Sequence, residues 1–163
     1  MRDFGERCAY SMQHRQRAGP MEVDHFDPRR KKDLIQDYGN LFLASRHCNR
    51  KKSDHWPNKD EAAAGCRFLN PCKEMDYGEQ IFEDPQTHRL VGTTPAAIWH
   101  IRMCGLNAEH LTDERAKRAE YWKLLDKTAF SVRAGFEAVQ EPIRKFRGEV
   151  ELMIHEIPPP PSG

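Results

Sequence analysis

The stretch that decides the fold reads Glu22-Val23-Asp24-His25-Phe26-Asp27-Pro28, then Tyr38-Gly39-Asn40-Leu41, and then Arg46-His47-Cys48-Asn49-Arg50-Lys51-Lys52-Ser53-Asp54. Its parts are separated by 15 residues from His25 to Asn40 and by 9 residues from Asn40 to Asn49. Each part alone is uninformative, because a single His or Asn occurs on most protein surfaces. The information lies in the order of the parts and in their spacing.

The residues around these parts predict two short strands and a helix. Residues 21–26 alternate around Val23, which is typical of a strand. Residues 41–44 form a short apolar run and predict a second extended segment. Ser45 is suited to cap the N-terminus of a helix that continues to about Lys52.

In this ordered set the sequence resembles the HNH endonuclease family. The family pattern is an Asp-His pair on a strand, an Asn-Leu pair after a loop, and a helix with Asn or His followed by basic residues. The matching segments are Asp24-His25, Asn40-Leu41 and Asn49-Arg50-Lys51-Lys52. The resemblance implies an α+β fold with a ββα-metal core. It also implies hydrolysis of phosphodiester bonds in nucleic acid with one divalent ion, Mg²⁺ or Mn²⁺.

The resemblance implies a role for each residue of the set. His25 is the candidate general base, since an imidazole titrates near neutral pH and can take a proton from water. Asp24 and Asn49 are the candidate metal ligands, because carboxylate and amide oxygens suit hard cations. His47 is a less certain ligand or a phosphate contact. Asn40 is expected to hold the loop and to fix the His25 ring by a hydrogen bond.

Basic residues gather beside these positions. Residues 1–60 contain 13 Lys and Arg against 9 Asp and Glu, whereas the rest of the chain is acidic. A phosphate-binding face has such an excess, so the candidate contacts are Arg29, Arg30, Arg50, Lys51 and Lys52. An ordinary solvated face has the same composition, and charge alone favours that plainer interpretation.

The cysteines depart from the family pattern. Many members frame the site with two Cys-x-x-Cys pairs that bind structural zinc. The corresponding segments here are Cys8-Ala9-Tyr10-Ser11 and Ser45-Arg46-His47-Cys48. Serine is a poor zinc ligand, so structural zinc is not expected, and His14 or His47 could replace the lost cysteines only by distorting the knuckle. Cys8 and Cys48 are predicted to lie close together in a degenerate knuckle.

Beyond this core the sequence predicts a short helix, a hairpin and longer helices. Asn58 can cap the short helix, and Asp84-Pro85-Gln86 is suited to the turn of the hairpin. Thr94-Pro95 and Thr112 are expected to open two further helices. A last amphipathic helix is predicted over 132–153, bent or broken near Pro142.

The predicted organisation has three parts. An HNH nuclease core occupies residues 1–65, and a hairpin with C-terminal helices packs on it over 66–157. A Pro-rich tail follows over 158–163.

A weaker resemblance extends into the second half of the chain. It rests on residues 68–72, residues 81–84, Leu106-Asn107, Leu111 and Arg115. These segments are similar to an HNH subgroup that includes nucleases of bacterial defence operons of the Septu type. The similarity implies an antiviral role and a protein partner such as an ATPase, with DNA as the favoured substrate.

The sequence disfavours two other classes of function. A catalytically inactive HNH-fold module that binds nucleic acid is disfavoured by the intact Asp24, His25, Asn40 and Asn49. A zinc-stapled interaction domain is disfavoured by the broken cysteine pairs. No stretch approaches the roughly 18 apolar residues of a membrane span. The first ten residues lack the apolar region of a secretory signal, and five cysteines without such a signal predict a reduced, cytoplasmic protein.

Overall fold

The computed structural model of the protein describes residues 4–32, 37–73, 77–132 and 140–152. The elements follow the order α1 (Arg15–Ala18), β1 (Met21–His25), β2 (Leu41–Ser45), α2 (Arg46–Lys52), α3 (Lys59–Ala63), α4 (Tyr77–Gln80), β3 (Ile81–Glu83), β4 (Leu90–Gly92), α5 (Pro95–Met103), α6 (Glu109–Val132) and α7 (Gln140–Glu151). Short 3-10 turns at Pro28–Arg30 and Tyr38–Asn40 lie between β1 and β2. The mixture of strands and helices confirms the predicted α+β class.

The first hairpin leads directly into a helix. β1 and β2 pair antiparallel, with Met21 opposite Ser45 and His25 opposite Leu41. Ser45 ends β2 and also caps α2, because its hydroxyl accepts a hydrogen bond from the Cys48 N–H. Both strands and the helix lie where the sequence predicts them. No connecting loop separates β2 from α2, so the polar residues of α2 lie beside β1.

A second hairpin is also followed by a helix. β3 and β4 pair antiparallel, with Ile81 opposite Gly92. Thr94 caps α5, and Pro95 occupies the first turn, as predicted. Gly92 packs so closely on α5 that an added Cβ would lie 2.5 Å from the Ile98 nitrogen. A larger residue at Gly92 would therefore push the helix away from the hairpin.

The helices after the second hairpin differ in part from prediction. α6 begins at Glu109, one turn before the predicted start at Thr112. Thr112 does not act as a cap, because its hydroxyl donates back to the Ala108 carbonyl at 3.3 Å. Pro142 lies in the first turn of α7, where proline is tolerated. The predicted helix segments at 133–139 and beyond 152, and the tail at 158–163, lie outside the described residues.

One hydrophobic cluster joins the two hairpins. It draws Cys8, Tyr10, Ala44 and Cys48 from the first half of the chain. From the second half it draws Phe68, Leu69, Ile81, Leu90, Ala96, Ala97, Trp99, Ile101, Cys104 and Leu106. Cys48 of α2 and Ala97 of α5 thus belong to the same core. In the portion of the chain described, no helix combines the length and the apolar character needed to cross a membrane.

Candidate active site

A polar cleft of about 340 Å³ lies beside the end of β1 and one face of α2. Its lining residues are Val23, Asp24, His25, Lys31, Asn49, Arg50, Ser53 and Asp54. The structure therefore brings Asp24, His25 and Asn49 to one surface, although Asn49 is far from the other two in sequence. Arg50 and Lys31 add positive charge to the same cleft.

His25 has an unusual environment. It is the last residue of β1, and its Nε2 atom is buried without a hydrogen-bond partner in the described part of the chain. Buried polar atoms are almost always hydrogen-bonded, so an unpartnered one beside a cleft marks a place for water or a ligand. The His25 ring lines the cleft, and its Nε2 atom has no hydrogen-bond partner among the described residues.

The Asp24 carboxylate is buried and already bonded. The Lys52 ammonium lies 2.9 Å from Oδ2 and 3.1 Å from Oδ1, and the Tyr10 hydroxyl donates to Oδ2. Burial raises the pKa of Asp24, and the charge of Lys52 opposes that rise. A carboxylate has about four lone-pair sites, so these bonds leave room for one further ligand.

Lys52 does not have the position predicted for a phosphate contact. Its side chain is fully buried, and its ammonium also donates to the His25 carbonyl at 2.9 Å. Lys52 follows the buried Cys48 by four residues, which places both on the same face of α2. That spacing is the signal by which the sequence could have assigned Lys52 to the interior.

Asn49 is held by a residue that the sequence analysis did not assign. Its amide nitrogen donates to Oε2 of Glu22 at 2.7 Å, and Arg46 donates to Oε1 of Glu22 at 2.9 Å. These bonds, that of Asn49 first, lower the pKa of Glu22. The amide oxygen of Asn49 has no hydrogen bond to the described residues. It remains available as a ligand.

Glu22 and Tyr10 form hydrogen bonds to the candidate ligands, Glu22 with Asn49 and Tyr10 with Asp24. Glu22 stands two residues before Asp24 on β1, so strand periodicity places both carboxylates on the face toward α2. That periodicity could have indicated Glu22. The sequence gives no such signal for Tyr10, because its contact with Asp24 joins segments that meet only in the folded chain.

Asn40 holds the loop but does not contact the His25 ring as predicted. Its amide oxygen accepts from the Asp27 N–H at 2.7 Å, and its amide nitrogen donates to the Asp27 carbonyl at 3.2 Å. The backbone carbonyl of Asn40 also accepts from the Phe26 N–H at 2.9 Å. Asn40 therefore fixes the main chain that follows His25, and acts on the imidazole only through the backbone.

His47 lies on a different side of α2 from the cleft. Its Nε2 atom is 3.0 Å from the Gly105 carbonyl oxygen, and its ring meets that of His110 edge-on, with centroids 4.6 Å apart. His47 does not line the cleft with Asp24 and Asn49. This position does not support the predicted ligand role. The contact joins α2 to the segment between α5 and α6.

The remaining basic residues are exposed, but they are not equivalent. Arg29 is bound to Asp27 at 2.8 Å and lies 4.4 Å from the centre of the Trp56 ring. The bond to Asp27 raises the pKa of Arg29. Arg30 and Lys51 are exposed outside the cleft, whereas Arg50 is exposed and lines it. Arg50 is thus the best-placed of the predicted phosphate contacts.

Cys8 and Cys48 lie in contact, as predicted. Both are fully buried, and their side chains share a hydrogen bond. The Ser11 N–H lies 3.4 Å from the Cys8 sulfur, so the turn of the knuckle persists without the second cysteine. Burial raises the pKa of the Cys8 thiol, but the hydrogen bonds from Cys48 and Ser11 outweigh it and bring the pKa to about 5.

The donor set of the cleft suits a hard divalent cation. Asp24 offers a carboxylate and Asn49 an amide oxygen, and Mg²⁺ commonly takes one or two protein ligands with water and phosphate oxygens. Across the described ranges, no group of three or more His, Cys, Asp or Glu side chains could hold a metal. The residues fit Mg²⁺ or Mn²⁺ bound together with a phosphate, and they do not fit a closed zinc site.

Comparison with known proteins identifies the same segment of the chain that forms the cleft. Residues 6–55 match the family model for HNH endonuclease. No curated protein and no solved structure matches the chain. Every residue that lines the cleft falls within the matched segment. Residues 6–55, which include every residue of the cleft, are therefore similar to the HNH endonuclease family.

Proposed function

We propose that the protein is a metal-dependent HNH endonuclease that hydrolyses phosphodiester bonds in nucleic acid, with DNA as the favoured substrate. One observation carries the proposal. The buried Nε2 atom of His25 has no hydrogen-bond partner among the described residues, and His25 lines the same cleft as Asp24 and Asn49. A base and two oxygen ligands beside one opening are what hydrolysis of a phosphodiester requires.

The roles follow from these positions. His25 accepts the proton of a water molecule through Nε2 and so makes that water nucleophilic. Asp24 and Asn49 would hold a divalent cation, which would supply positive charge to stabilise the phosphate during hydrolysis. Arg50 and Lys31 bind phosphates of the substrate at the cleft. Asn40 keeps the main chain after His25 in place through Asp27.

Lys52 sets the charge of the site. Its ammonium compensates the buried Asp24 carboxylate, so the free protein presents little net negative charge to a cation. We therefore expect weak binding of Mg²⁺ by the protein alone, and tighter binding when a substrate phosphate supplies additional oxygen ligands.

The same bonds support a second candidate. Both oxygens of Asp24 are already bonded, to Lys52 and Tyr10. A domain that had lost its cation would retain this fold and the basic Arg50, and would bind nucleic acid without cutting it. The alternative is therefore a catalytically inactive HNH-fold module.

A nicking assay separates the two candidates. Supercoiled plasmid is incubated with the protein in Mg²⁺, Mn²⁺ or EDTA, and with the variants His25→Ala and His110→Ala. The endonuclease predicts metal-dependent nicking that His25→Ala removes. His110→Ala serves as the matched histidine control, because His110 does not line the cleft. Binding without nicking, indifferent to EDTA, would select the inactive module.

We also propose that the protein is the nuclease component of an antiviral defence complex. Trp122 and Leu124 are exposed apolar residues on α6, where a protein partner such as an ATPase could dock. The free cysteines of the described residues suit a reducing cytoplasm. The exposed apolar residues of α6 and the free cysteines both support a role within a cytoplasmic defence complex. Its test is whether an ATPase co-purifies with the chain expressed from its native locus, and whether Trp122→Ala breaks that association.

A further inference from the structure

An apolar groove of about 390 Å³ adjoins the polar cleft. Its lining residues are Phe4, Val23, Tyr38, Gly39, Leu41, Phe42, Leu43 and Cys72. Val23 lines both the groove and the cleft, so the two adjoin at this residue of β1. The volume lies in the range of about 300–1,000 Å³ that is typical of small-ligand sites.

The pairing of β1 with β2 explains why this face is apolar. Val23 lies opposite Leu43 and His25 opposite Leu41, so these side chains share one face of the hairpin. Val23 is 63% exposed and Tyr38 is 66% exposed. Apolar surface that stays exposed beside a polar site indicates a binding surface.

We propose that this groove binds an unpaired nucleobase of a single-stranded nucleic acid whose phosphate enters the cleft. This inference rests on the proposed function and adds the substrate class. The Tyr38 ring offers a stacking surface, and the aliphatic side chains of Val23 and Leu41 complete an apolar seat. Unstacked bases bind proteins chiefly by such contacts with aromatic rings.

The neighbouring charges favour this occupant over a protein segment. Lys31 and Arg50 line the cleft that begins at Val23, so a ligand in the groove continues into positive charge. A base attached to a phosphate matches that order of apolar and basic surface. A stable protein interface needs about 20–30 residues on each side, far more than the groove provides.

The proposal has a consequence for substrate choice. A base held in a stacked duplex cannot enter the groove without being unpaired from its partner, which opposes binding. Single strands, flaps and bubbles are therefore bound and cut in preference to an intact duplex.

Binding is tested separately from cutting. Oligonucleotides with one 2-aminopurine, single-stranded or in a duplex, are titrated with the full chain in EDTA. Stacking on Tyr38 quenches the fluorescence of the single strand. Tyr38→Ala weakens binding of the single strand by roughly 5- to 100-fold, whereas Tyr38→Trp retains it. Tyr38→Leu, which keeps apolar bulk without a ring, loses the quench.

The controls make each outcome decisive. Phe146→Ala removes an exposed aromatic residue of α7 that lines neither the groove nor the cleft, and leaves the affinity unchanged. Single-strand affinity that Tyr38→Ala does not change overturns the inference. So does self-association that Tyr38→Ala abolishes, since a second copy would then occupy the groove. Plasmid nicking in Mg²⁺ by the same wild-type sample reports on the endonuclease activity itself, so failure of the groove proposal is distinguishable from failure of the proposed function.

Discussion

The two hairpins of this protein have the same local plan and different polar chemistry. In each, a hydroxyl residue at the end of the second strand or two residues beyond it caps the following helix, Ser45 for α2 and Thr94 for α5. The difference lies in their histidines. His88, in the turn between β3 and β4, contacts Glu83 at 2.8 Å, whereas Nε2 of His25 has no partner in the described residues.

The surroundings of His88 extend this contrast. Glu83 also bonds the buried Arg118, and Arg115 donates to the His88 carbonyl at 2.6 Å. Burial lowers the pKa of Arg115 to about 10. These polar groups bond one another and stabilise the fold. The comparison shows that a hairpin followed by a helix can serve two purposes. Its polar side chains stabilise the fold where they bond each other, and they are available for chemistry where they line a cleft.

The largest expected effect comes from exchanging each histidine for alanine. His25→Ala should lower the rate of nucleic-acid cleavage by about 10²–10⁴-fold, because a general base is lost, and should leave stability nearly unchanged. His88→Ala should do the reverse and destabilise the fold by about 1–3 kcal/mol, because the buried Glu83 carboxylate loses a hydrogen-bond partner. Plasmid nicking and urea denaturation of both variants check this. Full activity of folded His25→Ala would refute its assignment as the base.

The buried pair under the cleft is expected to matter more to stability than any surface charge. Lys52→Met should destabilise the protein by about 3–5 kcal/mol, because it leaves Asp24 buried without a counter-charge. Lys51→Met, one residue earlier and exposed, is the matched control and should change stability by less than about 0.5 kcal/mol. Urea denaturation at neutral pH measures both.

The pH dependence of the Lys52→Met variant has a definite sign. The pKa of Asp24 is raised in the folded protein, so its proton is bound more tightly in the folded state than in the unfolded state. Its cost to folding therefore appears as the pH rises through the folded pKa and disappears below the unfolded pKa. The penalty of Lys52→Met should shrink as the solution is acidified. A penalty that is constant with pH would show that packing, not charge, is lost.

The third test compares two neighbours on α2. Asn49→Ala should raise the Mg²⁺ concentration for half-maximal cleavage by roughly 10- to 100-fold, because a ligand in the cleft is lost. His47→Ala should have a smaller effect, since His47 contacts Gly105 outside the cleft. A metal titration of cleavage rate decides between them. A larger shift for His47→Ala would identify it as the ligand of this helix.

A fourth test concerns the degenerate knuckle. Cys8 and Cys48 provide only two sulfur ligands, and Ser11 and Ser45 provide hydroxyls that remain protonated at neutral pH and bind zinc poorly. We expect well under one zinc per chain by elemental analysis of protein purified without chelator. One equivalent of zinc that disappears in Cys8→Ser would contradict this and make the knuckle a metal site.

The smallest effect is expected at Glu22. Its pKa is lowered, first by the hydrogen bond from Asn49 and then by that from Arg46. Its contribution to stability is therefore present above the unfolded carboxyl pKa and is lost as pH falls through the folded pKa. Glu22→Gln should slightly flatten the dependence of the urea midpoint on pH over about pH 3–5. An unchanged dependence of the urea midpoint on pH would mean that the hydrogen bonds from Asn49 and Arg46 to Glu22 do not form in solution.

Much of the fold could be predicted because its signals are short-range. The caps Ser45, Asn58 and Thr94 act on N–H groups three residues away, so the sequence shows donor and acceptor together. Thr112 is the exception. A threonine can cap a helix or bond back within one, and the sequence does not distinguish these uses.

The sequence by itself determined the hairpin and helix that carry the site, together with Asp24, His25 and Asn49, because their order along the chain is a local pattern. Only the tertiary structure decided what those groups contact. Tyr10 reaches Asp24 across 14 residues, Lys52 reaches it across 28, and His47 reaches Gly105 across 58. Such pairings depend on how the hairpins and helices pack around one core. Lys52 therefore became the buried partner of Asp24, and Arg50 stayed in the cleft to contact phosphate in the proposed function.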